Sequence, residues 1–393
     1  MYPTVNSLMG LWKFVIANEI LVARDCKSEI EGFLGRLSPD RLFRPETWKR
    51  LPGFVKVIPN GDILPSRAKY NSATNDWQVA VNHVYAEESN PNHGLWYSLP
   101  DVAASVLHTG RVPKVVDAFR IRPSGIISSL KSTALRGAVV IDPRRQDFFK
   151  IVIEERKRLA SRADLSEADK ELLDKALKVL ANAASYGIYA EMNRRELEKK
   201  AHVTCYGIDR EPFICRVAHP DDPGEYCFSP LASLITGGAR LMLALLEHCV
   251  SALGGTYAME DTDSMAIVAT EDGGLIPCPG GPFQMPDHQE AVRALRWEEV
   301  LALSDRFVSL NPYSRDAVPG SILKIEEDNF DPTTGNQRQL YCVAISAKRY
   351  ALFLLDKKGH PVLLRRRINN KKDRWSDHGL GHLLNPSEPE SDG

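Results

Sequence analysis

The sequence predicts an α+β fold, and three sets of stretches carry that prediction. Between 55 and 81, apolar residues alternate with polar ones at the period of half-buried strands. From 148 to 184, and again from 229 to 253, apolar residues recur at helical spacing. Around the acidic cluster at 260–263, segments rich in Val, Ile and Tyr flank a polar turn, which reads as strand–turn–strand.

Taken in order, residues 1–25 read as the end of a strand followed by a helix. Residues 26–145 read as an inserted, strand-rich region: Val55, Val57 and Ile63 flank the hairpin signal Asn60-Gly61, and Trp77, Val79 and Val81 alternate with Gln78, Ala80 and Asn82. Leu135 to Asp142 supplies one more strand. Phe148 to Arg162 is helical and carries the basic cluster Arg156, Lys157, Arg158 and Arg162. A second helix opens at Ser166-Glu167-Ala168-Asp169, a capping box, with the stripe Leu172, Leu173, Ala176, Leu177, Leu180 and Ala184. The two helices form a hairpin. A third helix starts at Ser229-Pro230, runs through Leu231, Leu234, Ile235, Leu241, Leu245, Leu246 and Cys249, and stops at Gly254-Gly255. The segment from Pro386 onward is polar.

Composition narrows the function classes. A chain of 393 residues has room for two or three domains, or for one large domain with insertions. Its formal net charge of -1 implies no overall polyelectrolyte attraction to nucleic acid, so any such binding uses local basic patches. The seven cysteines, at 26, 205, 215, 227, 249, 278 and 342, form no C-x-x-C pair. That spacing suits reduced thiols better than a disulfide scaffold or a zinc ribbon. Leu8 to Ile16 is apolar, but no basic region precedes it and Lys13 interrupts it, so no signal peptide is read there. Pro230 to Leu253 contains Arg240, Glu247 and His248, which argues against a membrane span. The expected location is the cytoplasm, with no membrane partner.

Two constellations carry chemistry. Asp261 and Asp263 in Asp261-Thr262-Asp263-Ser264 are two positions apart, so on an extended backbone they project to the same side. Converging carboxylates hold hard divalent cations through oxygen, which suits Mg2+. Taken alone, the tetrapeptide also fits a polar turn with local side-chain to backbone bonds. Near the end of the second hairpin helix, Lys175, Lys178, Asn182 and Ser185 fall on one face, opposite the leucine stripe, with Tyr186 and Gly187 following. A lysine on a rigid helix can meet a triphosphate, and an aromatic ring among small residues makes a flat floor for a base pair. Taken alone, this is also the solvated face of an amphipathic helix.

The order of the pieces resembles that of family B DNA polymerases, which carry D-x-x-S-L-Y-P-S, K-x-x-x-N-S-x-Y-G, Y-G-D-T-D-S and K-K-R-Y motifs in sequence. The matching segments are Met1-Tyr2-Pro3-Thr4, Lys178 to Gly187, Asp261 to Ser264 and Ala347-Lys348-Arg349-Tyr350. The approach helix from Leu234 to Arg240 is similar too. The resemblance spans essentially the whole chain apart from 26–145.

The resemblance implies an α+β polymerase palm, an antiparallel sheet packed on helices, with a helical-hairpin fingers subdomain and a strand-rich insertion. It divides the chain into palm with the end of the first motif (1–25), insertion (26–145), fingers (146–190), palm with the D-T-D-S motif (191–350) and the start of a thumb or tail (351–393). Its implied activity is DNA-directed DNA polymerisation from deoxynucleoside triphosphates on a primer–template. The chemistry is an in-line displacement served by two Mg2+ ions. By the same resemblance, Tyr2 matches the steric-gate tyrosine, and Asp263 and Asp261 match the metal-ligating catalytic pair. Lys178 matches the triphosphate lysine, Asn182 and Tyr186 line the nascent base pair, and Arg156 is a second phosphate ligand. Thr262, Lys348, Arg349 and Tyr350 fall to DNA. Arg365, Arg366 and Arg367, with Lys371 and Lys372, either track its backbone or form a solvated charge run.

Departures from the pattern shape the expectations. The first motif's aspartate would lie four residues before Met1, which leads to the expectation of a fragment of a longer polymerase, weak in ion binding and impaired in activity. Glu260 stands where the family has a small or neutral residue, Ala347 replaces a lysine, and Ala160 stands where a lysine is usual. One extra residue separates Asn182 from Tyr186. At about 100° per residue it turns Tyr186 away from the lysine's face in a regular helix. A π-bulge or an early helix end between Asn182 and Gly187 is therefore expected. Asp261 and Asp263 are expected at a hairpin tip, with Tyr2 to Val5 beside it. Glu326, Glu327 and Asp328 read as a polar strand end, and His378 to His382, with its glycines, as a loop. The alternatives are a non-catalytic DNA-binding remnant of a polymerase and a metal-dependent phosphohydrolase using Asp261 and Asp263.

Overall fold

A computed structural model describes residues 1–58, 69–71, 76–78, 95–135, 139–205, 213–261, 263–346, 349–368 and 371–375. The fold is α+β, with several small, mainly antiparallel sheets and helices, in two compact units. The first unit comprises Met1–His248 and Phe307–Ile322; the second comprises Cys249–Arg306 and the chain from Leu323 onward.

The first unit opens with helix Tyr2–Met9, followed by a π-helical turn Trp12–Ile16 and strand Asn18–Ala23. This reverses the expected order of strand and helix. Pro3 lies in the first turn, where its missing N–H costs nothing. Val5, Leu8 and Met9 then fall on one buried stripe at helical spacing, and Gly10, at φ 69°, takes the left-handed C-cap position.

Strand Asn18–Ala23 forms one edge of a four-stranded sheet, in the order Asn18–Ala23, Lys114–Ile126, Gly53–Ile58, Leu95–Ser98. All its neighbours are antiparallel, with Val22 opposite Ile121 and Phe54 opposite both Phe119 and Ser98. The region expected to be strand-rich also contains helices Lys27–Leu34, Pro39–Leu42, Pro45–Trp48 and Leu99–Thr109. Local capping explains two of them: Ser38 accepts from the Arg41 amide and Ser98 from the Asp101 amide, each with a proline in the first turn. Trp77 lies in strand Asp76–Gln78, paired with Lys69–Asn71. Asn60-Gly61, Ile63, Val79 and Val81 lie outside the described residues. The strand expected over 135–142 is instead part of a pair, Thr133–Leu135 with Val139–Ile141, in which Leu135 opposes Val139.

The helical hairpin consists of Phe148–Arg158, a 3-10 turn Leu159–Ser161 and Glu167–Ser185. Asp147 caps the first helix by accepting from the Lys150 amide at 3.2 Å. Ser166 caps the second, accepting from the Asp169 amide at 3.2 Å and donating to the Asp169 carboxylate at 2.6 Å. Val152, Leu159, Leu177 and Ala181 form a core with Leu135 and Ile141, onto which Leu173 and Leu180 pack. Leu172 is 62% exposed and drops out of the expected stripe. The buried row runs 173, 177, 180–181, which places 172 round the side of the helix.

Helix Ser229–Ala252 has 24 residues, and an 18-residue window within it has a mean hydropathy of 1.4. Among the described residues it is the one helix long and apolar enough to cross a membrane, and most of it is buried inside the protein. Gly238 lets it approach the amino-terminal helix: a Cβ there would meet the Val5 side chain and lie 2.8 Å from Met9 Sδ.

In the second unit, Tyr257–Asp261 and Ser264–Ile267 form a hairpin. Strand Glu290–Arg296 pairs with Ala269–Thr270, Gly274–Pro277 and Phe283–Gln284, and helix Trp297–Arg306 follows it. Tyr341–Ser346, Arg349–Leu355 and Pro361–Leu363 make a three-stranded sheet, and Arg365–Ile368 pairs with Lys371–Trp375. Among the described residues Cys26, Cys215, Cys227, Cys249, Cys278 and Cys342 are free thiols.

Candidate functional site

Tyr186 does not continue the second hairpin helix. That helix ends at Ser185, Tyr186 adopts φ −147° and ψ −55°, and a 3-10 turn Gly187–Ala190 follows. The helix thus ends early, as the extra residue required. Freed from helical geometry, the Tyr186 ring lies 4.8 Å from that of Tyr2, centroid to centroid, with the planes tilted by 33°. Such offset aromatic contacts stabilise by about 0.5–1.5 kcal/mol beyond area burial. Lys175, Lys178 and Asn182 are exposed along the same helix, whereas Ser185 is fully buried and leaves the face on which it was expected. Its hydroxyl turns back to the Asn182 carbonyl, at 3.4 Å.

Arg240 lies on the long apolar helix, two positions after Gly238, on which Val5 and Met9 of the Tyr2 helix pack. Its Nε donates to Asp101 Oδ1 at 2.7 Å and its Nη2 to Asp101 Oδ2 at 3.0 Å. Ser98 donates its hydroxyl to the same Oδ2 at 2.7 Å. Gly237 leaves room for this arrangement, since a Cβ there would collide with the Ser98 hydroxyl and lie 3.0 Å from Asp101 Oδ2. Burial pulls the Arg240 guanidinium's pKa down, but the hydrogen bonds and charge of Asp101 lift it above its ordinary value, Tyr2 and Tyr186 adding to this only as phenolates.

Arg156 is already engaged. Its Nε donates to Asp174 Oδ1 at 2.8 Å and its Nη2 to Asp174 Oδ2 at 3.1 Å, across the helical hairpin. Two further bonds tie residues 307–322 into the first unit. The hydroxyls of Thr4 and Tyr313 are 2.9 Å apart, and the Ser314 amide donates to Glu154 Oε1 at 2.6 Å.

In the second unit, Asp261 pairs with Ser264 at the tip of its hairpin. Asp263 sits in the turn, where its amide donates to the Asp261 carbonyl at 2.6 Å and the Ser264 hydroxyl donates to the same carbonyl at 3.0 Å. The alternation that was to aim both carboxylates one way therefore stops at Asp261, because Asp263 is not in the strand. Glu260 opposes Met265 within the strand and alternates with Asp261. Thr262 lies outside the described residues. The two carboxylates supply the oxygen donors that Mg2+ takes. They fall short of the set a two-ion centre needs: among the described residues no group of three or more His, Cys, Asp or Glu side chains gathers.

Of the fourth motif, Ala347 and Lys348 lie outside the described residues; Arg349 is exposed and Tyr350, 8% exposed, is buried. A buried ring cannot stack on DNA without rearrangement, so among the described residues of the motif Arg349 is the solvent-facing group. Arg365, Arg366 and Arg367 belong to a paired strand, as do Lys371 and Lys372. Glu327 and Asp328 lie in a 3-10 turn, Glu327–Asn329, in place of the expected strand end. His378 to His382 lie outside the described residues.

Tyr2, Lys178, Asn182, Tyr186 and Arg156 thus belong to the first unit, and Asp261, Asp263, Arg349 and Tyr350 to the second. The Asp101–Arg240 pair was missed by sequence reasoning. The available signals were an arginine interrupting an apolar helix and Ser98-x-x-Asp101 before an apolar run. Comparison with protein-family models, curated proteins and solved structures finds no match to this chain.

Proposed function

We propose that the chain is the palm-and-fingers portion of a DNA-directed DNA polymerase of the family B type, which extends a primer 3′-hydroxyl with deoxynucleoside triphosphates. The observation that carries this reading is the contact between Tyr2 and Tyr186. These rings come from the two motifs that, in the resemblance, enclose the incoming nucleotide, and 184 positions separate them in the sequence. The unwound helix end at Tyr186 supports the reading, because it compensates for the one-residue departure from the motif's spacing. A paired D-T-D-S hairpin is consistent with it.

In this reading Tyr2 and Tyr186 form the wall against which the sugar and base of the nucleotide rest, and Lys178 and Asn182 approach from the exposed face of the fingers helix. The Lys178 ammonium offsets triphosphate charge, and Asp261 and Asp263 match the metal-ligating pair of the family. Mg2+, held by these two carboxylates and by ligands supplied by the substrates, would stabilise the developing charge on the leaving pyrophosphate. Arg349 and the paired basic strand at 365–368 meet the DNA backbone.

The test is primer extension on a labelled primer–template with Mg2+, using the chain with an Asp-Xaa-Xaa-Ser segment fused ahead of Met1. The expected result is incorporation directed by the templating base, reduced about a hundredfold or more by Asp263→Asn, the scale for losing one transition-state electrostatic contact. Absence of template-directed incorporation, together with no binding of nucleotide or primer–template, would overturn the reading.

A further inference from the structure

The pair formed by Asp101 and Arg240 is built differently from a purely structural ion pair. Arg240 leaves a helix whose adjacent residues, Ala239, Leu241 and Met242, are at most 2% exposed. Its partner carboxylate is sunk in the protein, with 8% of the side chain exposed, yet 47% of the arginine side chain stays open. Asp101 is fixed from behind by the Ser98 hydroxyl and engages two of the five guanidinium N–H donors. Among the described residues no other acceptor takes the remaining donors. The open edge belongs to a side chain whose rotation is arrested, so ordering it on a ligand costs little entropy.

Its setting points to the ligand. Val5 and Met9 pack on Gly238, two positions before Arg240, and Tyr2 lies one turn before Val5. The Tyr2 ring in turn meets that of Tyr186, 4.8 Å away between centroids. A rigid planar fork on the helix that packs against the Tyr2 helix, whose Tyr2 ring meets Tyr186, suits a phosphate oxyanion attached to a sugar and base, a geometry that a lysine cannot reproduce.

We propose that Arg240 contacts a phosphate of a ligand seated against Tyr2 and Tyr186, and that Asp101, from the region between the first two motifs, is its positioning residue. The proposal rests on the reading of the chain as a nucleotidyltransferase, and it adds two residues that the motif resemblance does not assign. The phosphate is either that of an incoming nucleoside triphosphate or a phosphodiester of the bound strand.

The experiment is equilibrium titration of the 393-residue chain, in Mg2+, with dATP and deoxyadenosine by tyrosine fluorescence, and with a fluorescein-labelled primer–template by anisotropy. Arg240→Lys, Arg240→Gln, Asp101→Asn and Tyr2→Ala are compared, with near-ultraviolet circular dichroism confirming the fold. Arg240→Gln leaves Asp101 a hydrogen-bond donor and serves if the lysine variant does not fold.

Arg240→Lys is expected to weaken dATP about tenfold while changing deoxyadenosine less than about twofold, as loss of one charge-assisted fork implies. Asp101→Asn should weaken dATP severalfold in the wild-type chain and have no further effect beside Arg240→Lys, which a merely structural role would not produce. If the phosphate belongs to the strand, the primer–template arm falls and the dATP arm holds. Equal losses for dATP and deoxyadenosine would overturn the proposal, as would no loss in either arm. Silent Arg240 variants alongside a weakened Tyr2→Ala would remove the Arg240 assignment alone. A wild-type chain that binds neither nucleotide nor DNA would remove the underlying reading as well.

Discussion

Arg156 and Asp174 face each other across the helical hairpin and share two hydrogen bonds, of 2.8 and 3.1 Å. Arg240 makes the same kind of pair with 47% of its side chain open, whereas Arg156 is only 23% exposed, so here the pairing leaves little of the guanidinium for a triphosphate. Asp174→Ala is therefore expected to raise dATP affinity severalfold, and only while Arg156 is present. Arg156→Ala alone should change affinity little. The hairpin should lose at most about 1 kcal/mol, because Asp174 is 45% exposed and solvent screens the pair. Titration of the two single variants and the double variant checks this; an Asp174→Ala gain that persists without Arg156 would refute it.

The contact of Tyr2 with Tyr186 should be visible as coupling. Tyr2→Ala and Tyr186→Ala are each expected to weaken dATP, and a double-mutant cycle should return a coupling of about 0.5–1.5 kcal/mol. If Tyr2 also excludes a 2′-hydroxyl, Tyr2→Ala should narrow the preference for dATP over ATP. Strictly additive losses would separate the two rings functionally.

Gly238 should tolerate no larger residue while Val5 and Met9 stay in place. Gly238→Ala is expected to destabilise the first unit by about 1–3 kcal/mol through overpacking. Val5→Ala should recover part of that loss when combined with Gly238→Ala, although alone it opens a cavity. Urea denaturation of the three variants provides the measurement. Gly238→Ala with an unchanged midpoint would show that the two helices can part at no cost.

Asp147 should make stability depend on acid pH with an unusual sign. Burial pushes its carboxyl above the ordinary value of 3.8, against the smaller opposing effects of the Ser7 hydroxyl, the amides of Lys150 and Phe149, and the Lys150 charge. The folded chain then holds a proton that the unfolded chain has released. This contribution to stability falls as pH rises from about 3.8 to the folded value and is flat above it. Asp147→Asn keeps the oxygen that accepts from the Lys150 amide and removes that slope. Relative to wild type, the variant should gain stability with rising pH and then plateau, as read from urea midpoints between pH 4 and 7. A relative loss with rising pH would contradict the assignment.

The sequence announced its local signals well and its distant ones poorly. Ser166 with Asp169, Ser229-Pro230 and the strands around Asp261 were legible because capping and alternation act within a few residues. The end of the helix at Ser185 followed from counting residues between Lys178 and Tyr186. Helix Leu99–Thr109 carried its cap at Ser98 in plain view, but the surrounding alternation of strand-like residues outweighed it. Helix Tyr2–Met9 shows in the periodicity of Val5, Leu8 and Met9, which the strand suggested by Met1-Tyr2-Pro3-Thr4 obscures. The bond from Asp101 to Arg240 spans 139 positions, and no local rule reaches across that distance.

Residues 307–322 return to the first unit after the chain has contributed 249–306 to the second. The hydroxyl pair of Thr4 and Tyr313, and the amide of Ser314 on Glu154, therefore cannot form until these late residues have left the ribosome. At about 5–20 residues per second, Tyr313 is synthesised roughly 15–60 seconds after Thr4, and Ser314 roughly 8–32 seconds after Glu154. For those intervals Thr4 and Glu154 are without these partners, so codon-level pausing before residue 307 would lengthen the window in which the nascent chain is open to chaperones and proteases.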